Sequence, residues 1–224
     1  MRTSGYKTQV INVYTLRIVV GSLAFLLPVV VSIGAILLDW ELYLQDSISD
    51  YYYTIMRNYF VGTLCAVAVV LFSYKGYEKK DDRAGDFAAL LCLIVAFFPT
   101  TPVYPIDYPL LSSTAVGVIH LSAAAILFWV LSYFSLRLFT KTGDPEHMSD
   151  RKKLRNKVYV ACGYTMRACL GLLLIYFVFK TFDLFGWAAF LEKLKLVYIF
   201  EFIMLWAFGF SWLVKGEIIL GDEK

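Results

Sequence analysis

Apolar residues gather along the chain in six blocks, at 18–38, 58–74, 84–101, 114–136, 158–179 and 196–214. An α-helix rises about 1.5 Å per residue and needs about 20 apolar residues to cross the hydrocarbon of a bilayer, so the pattern predicts six transmembrane helices. The second and third blocks are the least comfortable fits. Pro28 inside the first is expected to kink it, since proline removes one bond of the helical ladder and crowds the preceding turn. The uncharged run that follows Arg17 is longer than the roughly 7–15 residues of a secretory signal core, and no small-residue cleavage site follows it. It is therefore read as a retained span. The expected fold class is all-α: a polytopic membrane protein forming a single six-helix bundle over residues 1–224.

The connections alternate between rich and poor in basic residues. Arg2, Lys7 and Arg17 precede the first block, Lys75, Lys79, Lys80 and Arg83 follow the second, and Arg137, Lys141, Arg151, Lys152, Lys153, Arg155 and Lys157 follow the fourth, most of them in the basic loop 140–157. The opposite connections hold Asp39, Glu41, Asp46 and Asp50, then a proline-rich stretch at 99–109 with no Lys or Arg, then a mixed segment at 180–195. The positive-inside rule places both termini in the cytoplasm and the protein in the cell membrane. Trp40, Tyr51, Tyr108, Trp187 and Trp212 lie near block ends, where interfacial aromatics are expected. The two halves share no motif of the kind that marks repeat-built transporters.

Composition narrows the function classes. Hydrophobic residues make up 59% of the chain and charged residues 17%, against roughly 45–50% and 25% in an average soluble domain. The basic residues sit in loops and not in a stripe beside stacking aromatics, which argues against nucleic acid as a partner. Membrane lipids are the expected partners, and a homo-oligomer is compatible with such a bundle. Cys65, Cys92, Cys162 and Cys169 all fall inside apolar blocks and are read as small packing side chains, not a disulfide framework. Of the two histidines, His147 lies in the basic loop and cannot share a site with His120, so a multi-histidine zinc centre is not expected. No metal or cofactor is expected.

A few polar groups stand where they are costly. Arg167 lies near the middle of the fifth block, where a lone arginine costs roughly 2.5–3.5 kcal/mol on insertion scales and needs a partner or water. Gly163 and Gly171, one turn to either side, suggest a small-residue groove that turns Arg167 into the bundle. Glu201, nearer the outer end of the sixth block, is the expected counter-ion, reached by the long arginine side chain; the alternative is a Glu that reaches the outer headgroups alone. His120 opens the fourth block beside Gly117 and Ala124, as a packing residue or a ligand. Ser49 and Asp50 have the short side-chain oxygens that cap helix starts. Arg57 and Asn58 stand where the second block should already be apolar, and Asn58 shares a stripe with Gly62 and Ala66 that is expected to face other helices. By depth, Arg57, Asn58, His120 and Glu201 fall in the outer half with Arg167 beneath them. The reading is a polar pocket open to the outside, lined by the second, fourth, fifth and sixth spans.

The strings SISDYYYT at 47–54, RNYFVG at 57–62, YKGY at 74–77, FFPTTP at 97–102 and VIH at 118–120 resemble a group of bacterial and archaeal six-span membrane proteins of unknown function. The layout is also similar to that of the eukaryotic DRAM/Frag-like family. The resemblance implies a six-helix bundle with both ends cytoplasmic and, from the eukaryotic side, an association with lipid handling or membrane trafficking. In the bacterial pattern a His often stands at the position of Tyr53 and an Asp at that of Asn58, and these departures speak against an acid/base role for the segment.

Four functions remain open on sequence grounds. The first is a non-catalytic module whose outer pocket holds a lipid headgroup or small amphiphile, with Arg167 or Arg57 meeting an anionic group. The second is an ion or proton channel or transporter using Arg167, Glu201 and His120. A metal-free intramembrane hydrolase built on Ser49, Asp50 and His120 is the third. The fourth is an assembly subunit whose basic loop engages a partner or anionic lipid.

Overall fold

The computed structural model describes residues 12–40, 43–76, 78–102, 113–143, 146–183 and 186–221. Over them the chain is helical, with no strand among the described residues. The helices are α1 (Val13–Asp39), α2 (Arg57–Phe72), α3 (Lys79–Phe97), α4 (Thr114–Tyr133), α5 (Asp150–Thr181), the short α6 (Ala188–Lys193) and α7 (Leu196–Lys215). A 3-10 turn, Ser49–Tyr53, precedes α2, and a π-helical turn, Phe134–Leu138, extends α4.

Their starts follow local chemistry. Asn12, Ser113 and Ser149 accept hydrogen bonds from amides in the first turns of α1, α4 and α5, replacing partners that a helix start otherwise lacks. Glu78 and Asp81 close a reciprocal capping box at α3. Because Ser149 caps α5, the last eight residues of the basic segment 140–157 are not loop but the first two turns of that helix. Pro28 sits inside an α1 that continues to Asp39, and the Ser32 hydroxyl donates to its carbonyl at 2.7 Å.

The six longer helices close into a ring in the order α1, α2, α3, α4, α5, α7, with each packed on the next and α7 packed back on α1. Buried residues recur at alternating spacings of three and four, the mark of a helix with one face inward. On α5 the stripe is Arg155, Tyr159, Cys162, Met166, Cys169, Leu173 and Tyr176. Outside the ring, large apolar side chains stand bare, among them Leu37, Val69, Leu174 and Ile175. Apolar surface on this scale is consistent with a bilayer as the surrounding medium. Four helical segments are long and apolar enough to cross one: α1, Thr114–Leu138, α5 and α7. Helix α2 is apolar but has 16 residues, and α3 opens with charges at Lys79 to Arg83.

The ring closes along an α1–α7 seam built on glycine. A Cβ on Gly209 would lie 2.8 Å from the Gly21 carbonyl oxygen and 2.9 Å from the Phe25 amide nitrogen, so the two backbones touch directly. Phe25 stacks on Trp206 at 4.3 Å between ring centroids, and Ser32 shares a 2.8 Å hydrogen bond with the Tyr198 hydroxyl further up. We call the end where α1 finishes the upper end and the end where it starts the lower. Near the lower end Trp212, 1% exposed, packs with Tyr74, Phe134, Phe139 and Phe208. Trp212 and the equally buried Tyr51 therefore belong to the core, not to an interfacial belt. Trp40 and Trp187 are exposed, and Tyr108 lies outside the described residues.

Candidate functional site

At the upper end the chain between α1 and α2 folds inward under local constraints. The Ser47 hydroxyl accepts from the Asp50 amide at 3.0 Å and donates to the Asp50 carboxylate at 2.8 Å. This mutual cap draws Ser47, Ile48, Ser49 and Asp50 into a buried turn. The Tyr53 hydroxyl ties the turn to the end of α3 by donating to the Thr100 carbonyl at 2.5 Å. Burial pushes the Tyr53 phenol up to about 12, so it stays a donor at ordinary pH. Gly117 lets the segment after α3 close onto α4, since a Cβ there would collide with the Thr101 side chain.

Glu201 and His120 meet this turn from α7 and α4. Glu201 lies on the inward stripe of α7, in step with Tyr198, Phe208 and Trp212, and its carboxylate accepts from the Ile48 amide at 2.6 Å while facing Ser49. His120 is 3% exposed; its Nδ1 pairs with the Phe98 carbonyl at 2.6 Å, and its Nε2 has no hydrogen-bond partner. With Nδ1 donating to a carbonyl, Nε2 of the neutral ring is an acceptor.

These groups line one cavity of about 320 Å³ at the upper end, together with Thr100, Thr101, Tyr176 and two ion pairs. Lys195 donates to Asp46 at 2.7 Å and Lys180 to Glu192 at 2.8 Å. The lysines are thus matched one for one, whereas Asp50 and Glu201 are held by neutral donors. Burial, and next the nearby Asp46 charge, raise the Asp50 carboxyl to about 6, although the Ser47 hydroxyl opposes the shift. Below this polar chamber lies a narrow apolar cavity of about 60 Å³, lined by side chains such as Leu27, Phe60, Leu64, Leu127, Leu205 and Phe208. Ser49, Ala124 and Glu201 belong to both walls.

Of the residues singled out in the sequence, Ser49, Asp50, His120 and Glu201 come together, and Arg57, Asn58 and Arg167 do not. Arg167 makes no ion pair with Glu201. It is half-buried on the side of α5 that meets α4, where Nε donates to the Ser132 hydroxyl at 3.2 Å and the guanidinium lies 4.5 Å from the Trp129 ring centroid. The reason is rotational: the inward stripe of α5 runs through Met166, so the next residue turns about 100° away from the interior. The glycine groove is not continuous either, because Gly163 receives Leu136 while Gly171 faces open space. Arg57 is exposed and lies over the Tyr52 ring at 4.3 Å. Asn58, Gly62 and Ala66 form an exposed stripe, since the inward face of α2 is Phe60, Leu64, Val67 and Leu71.

Asp46, Lys180, Glu192 and Lys195 complete the chamber and escaped sequence reading. Asp46 and Lys195 lie in connections, Lys180 in the last turn of α5 and Glu192 in the short α6; their charges look solvated in the sequence, and only the return of α7 against the end of α1 brings them together. Among the described residues, no group of three His, Cys, Asp or Glu is arranged to hold a metal ion, and no hydrogen bond joins Ser49 to His120. The chamber therefore offers acceptors and fixed charge, and the Ser49 side chain hydrogen-bonds the Glu201 carboxylate and not His120. Compared with family models, curated proteins and solved structures, the chain matches none of them.

Proposed function

We propose that this is an integral membrane protein whose six ring helices all cross the bilayer, with both termini in the cytoplasm, and whose upper chamber binds the headgroup of a lipid or small amphiphile from outside. The orientation rests on the lower end, where Arg17, Lys75, Lys141 and Lys152 gather. The resemblance to six-span membrane proteins agrees with this layout. The observation that carries the binding reading is the shared wall of the two cavities: a polar chamber sits on an apolar shaft, with Ser49 and Glu201 at the join. A molecule with a polar head and an apolar chain fits that division.

Charge selects the head. Arg57 and Arg167 are outside the chamber, and both chamber lysines are already paired. The groups left to meet a ligand are the Asp50 and Glu201 carboxylates and the bare acceptor on His120. A headgroup bearing an ammonium supplies the donors and positive charge these lack. The channel reading loses Arg167 from its path, and the shaft beneath Glu201 is apolar and ends on Phe208, which packs on Trp212.

The test uses purified protein in a non-ionic detergent, with thermal shifts recorded against dodecylamine, a lysophosphatidylethanolamine and an anionic lysophosphatidylglycerol. The amine-bearing amphiphiles are expected to stabilise the protein saturably, and Glu201→Gln to weaken them at least tenfold. Equal response to all three, or a Glu201→Gln variant that binds like the native protein, overturns the reading. Arg167→Leu is expected to bind like the native protein and to change stability by no more than about 1 kcal/mol, because it forfeits one hydroxyl hydrogen bond and one ring contact. A large loss on either measure would return Arg167 to the site.

A further inference from the structure

At the lower end of the ring, where neither the chamber nor the shaft reaches, the helices surround a second polar cavity of about 390 Å³. Six cations line it: Arg17 from α1, Lys75 after α2, Lys141 after α4, Lys152 and Arg155 from α5, and Lys215 from α7. Glu217 is the one carboxylate on its wall among the described residues, and Tyr14, Tyr74 and Tyr159 add hydroxyls.

Two of the cations are neutralised locally. Lys141 pairs with Asp81 at 2.7 Å and Glu78 at 3.2 Å, and Lys75 lies 3.8 Å from Asp82. Two are held in position by main-chain oxygens, with Lys152 donating to the Phe139 carbonyl at 2.8 Å and Arg155 to the Leu220 carbonyl at 2.9 Å. Arg155 is 6% exposed, so this is an interior guanidinium and not a solvated surface charge. The remaining two make no ion pair among the described residues, although Glu217 is near enough for its charge to act on Lys215. The Arg17 Nε is buried with no hydrogen-bond partner, its Nη1 reaches only the Lys215 carbonyl at 3.5 Å, and the Lys215 ammonium has no ion-pair partner among the described residues.

Like charges gathered in a concave, partly buried space repel one another, and each carries a desolvation cost that only an opposite charge offsets. Their convergence from three ring helices and two connections, with Lys152 and Arg155 on fixed backbone contacts, makes a preorganised anion receptor. We infer that this basin binds a phosphate group, with Arg17 and Lys215 as its principal charge partners and Lys152 and Arg155 completing the cradle. A guanidinium matches two phosphate oxygens at once, and the ammonium and phenol donors meet the others. The volume lies within the range of ligand pockets, about 300–1,000 Å³, and exceeds the needs of one phosphate, so a diphosphate or a phospholipid headgroup fits the same chemistry.

The experiment compares native protein with the Arg17→Gln/Lys215→Gln double variant and with Lys153→Gln, an exposed lysine of the same helix outside the basin. Each is titrated in detergent with inorganic pyrophosphate. Each is also placed in nanodiscs of phosphatidylcholine alone or with one-fifth phosphatidylglycerol, and melting temperatures are recorded. Native protein and Lys153→Gln are expected to be stabilised saturably by one or both anions, and the double variant to bind at least tenfold more weakly. In anion-free phosphatidylcholine the double variant should melt no lower than native protein, since two like charges have been removed. Saturable pyrophosphate binding identifies a soluble phosphate compound as the occupant. A response confined to phosphatidylglycerol discs identifies a lipid headgroup. The inference is overturned if neither anion acts saturably, if the double variant responds like native protein, or if Lys153→Gln loses as much as the double variant.

Discussion

Replacing Gly209 with valine is expected to open the ring, with a loss of about 3 kcal/mol or more and little or no monodisperse protein recovered from detergent. Most overpacking is relieved by a shift of side chains, which keeps its cost at about 1–3 kcal/mol. Here the obstructing atoms are backbone. The added Cβ would stand 2.8 Å from the Gly21 carbonyl oxygen and 2.9 Å from the Phe25 amide nitrogen. Relief requires α1 and α7 to move apart. That separation would also pull on the Phe25–Trp206 stack, the hydrogen bond from the Trp206 indole to the Phe25 carbonyl, and the Ser32–Tyr198 hydrogen bond. In a bilayer, burial from water contributes little to helix association, so close packing of this kind carries much of the stability. Gly62→Ala is the matched control: nothing lies within 4 Å of a Cβ there, and the exchange should be neutral or stabilise by about 0.5–1 kcal/mol through helix propensity. If Gly209→Val melted within a degree or two of native protein, the seam would not be what closes the ring.

The positions of the helices were legible because hydrophobic periodicity is a local property. Blocks read at 114–136 and 196–214 correspond to helical segments Thr114–Leu138 and Leu196–Lys215. The pairing of α1 with α7 was not legible, since Gly21 and Gly209 are far apart in sequence and each alone is an ordinary small residue in an apolar run. Arg167 shows a different kind of miss. Gly163 and Gly171 point to a groove on the Arg167 face, yet the stripe Tyr159, Cys162, Met166, Cys169 and Leu173 is equally legible in the sequence and is the one that faces inward. It leaves Arg167 beside the interior. The same rule succeeds for His120, which falls on the inward stripe of α4 with Gly117, Ala123 and Leu127. It fails for Asp46, Lys180, Glu192 and Lys195, because they lie in connections, at a helix end or in a six-residue helix, where no stripe is long enough to read, and their partners depend on how the ring closes.

The two polar cavities differ in a way that bears on both proposals. The upper chamber has four carboxylates and two lysines, whereas the lower basin has six cations and one carboxylate. Between them stand the apolar shaft and the aromatic cluster around Trp212, where Phe208 lines the shaft and Tyr74 lines the basin. A continuous ion path would need polar groups through that zone. Two separate cavities of opposite sign, one at each end of the ring, suit two polar heads and not a single permeating ion.

Asp50→Asn should stabilise the protein by about 3 kcal/mol at pH 8 and by only about 1 kcal/mol at pH 4.5, and the same change should weaken binding of an amine-bearing amphiphile. The Asp50 carboxyl is 7% exposed and titrates at about 6 in the folded chain, against 3.8 when unperturbed. A folded value above the unfolded one means that the native state binds the extra proton between these two values, so stability falls as pH rises through that window and stays low above it. The gap of about two units is worth about 3 kcal/mol. Asparagine keeps the shape and an acceptor for Ser47 but cannot ionise, so the pH slope from this site should vanish. The neighbouring charges set the direction: burial and Asp46 oppose ionisation, and Lys195 favours it only weakly. An acid retained at such a cost has a use that stability does not explain, and a bound ammonium supplies one, because it meets the ionised carboxylate and shifts titration back toward the ordinary range. Melting curves of native and Asp50→Asn protein from pH 4.5 to 8, each with and without dodecylamine, separate the two effects. A native protein whose stability is flat across that range would remove the buried-acid argument. An Asp50→Asn variant that still binds the amine as tightly at pH 8 would remove Asp50 from the site and leave Glu201 and His120 to carry it.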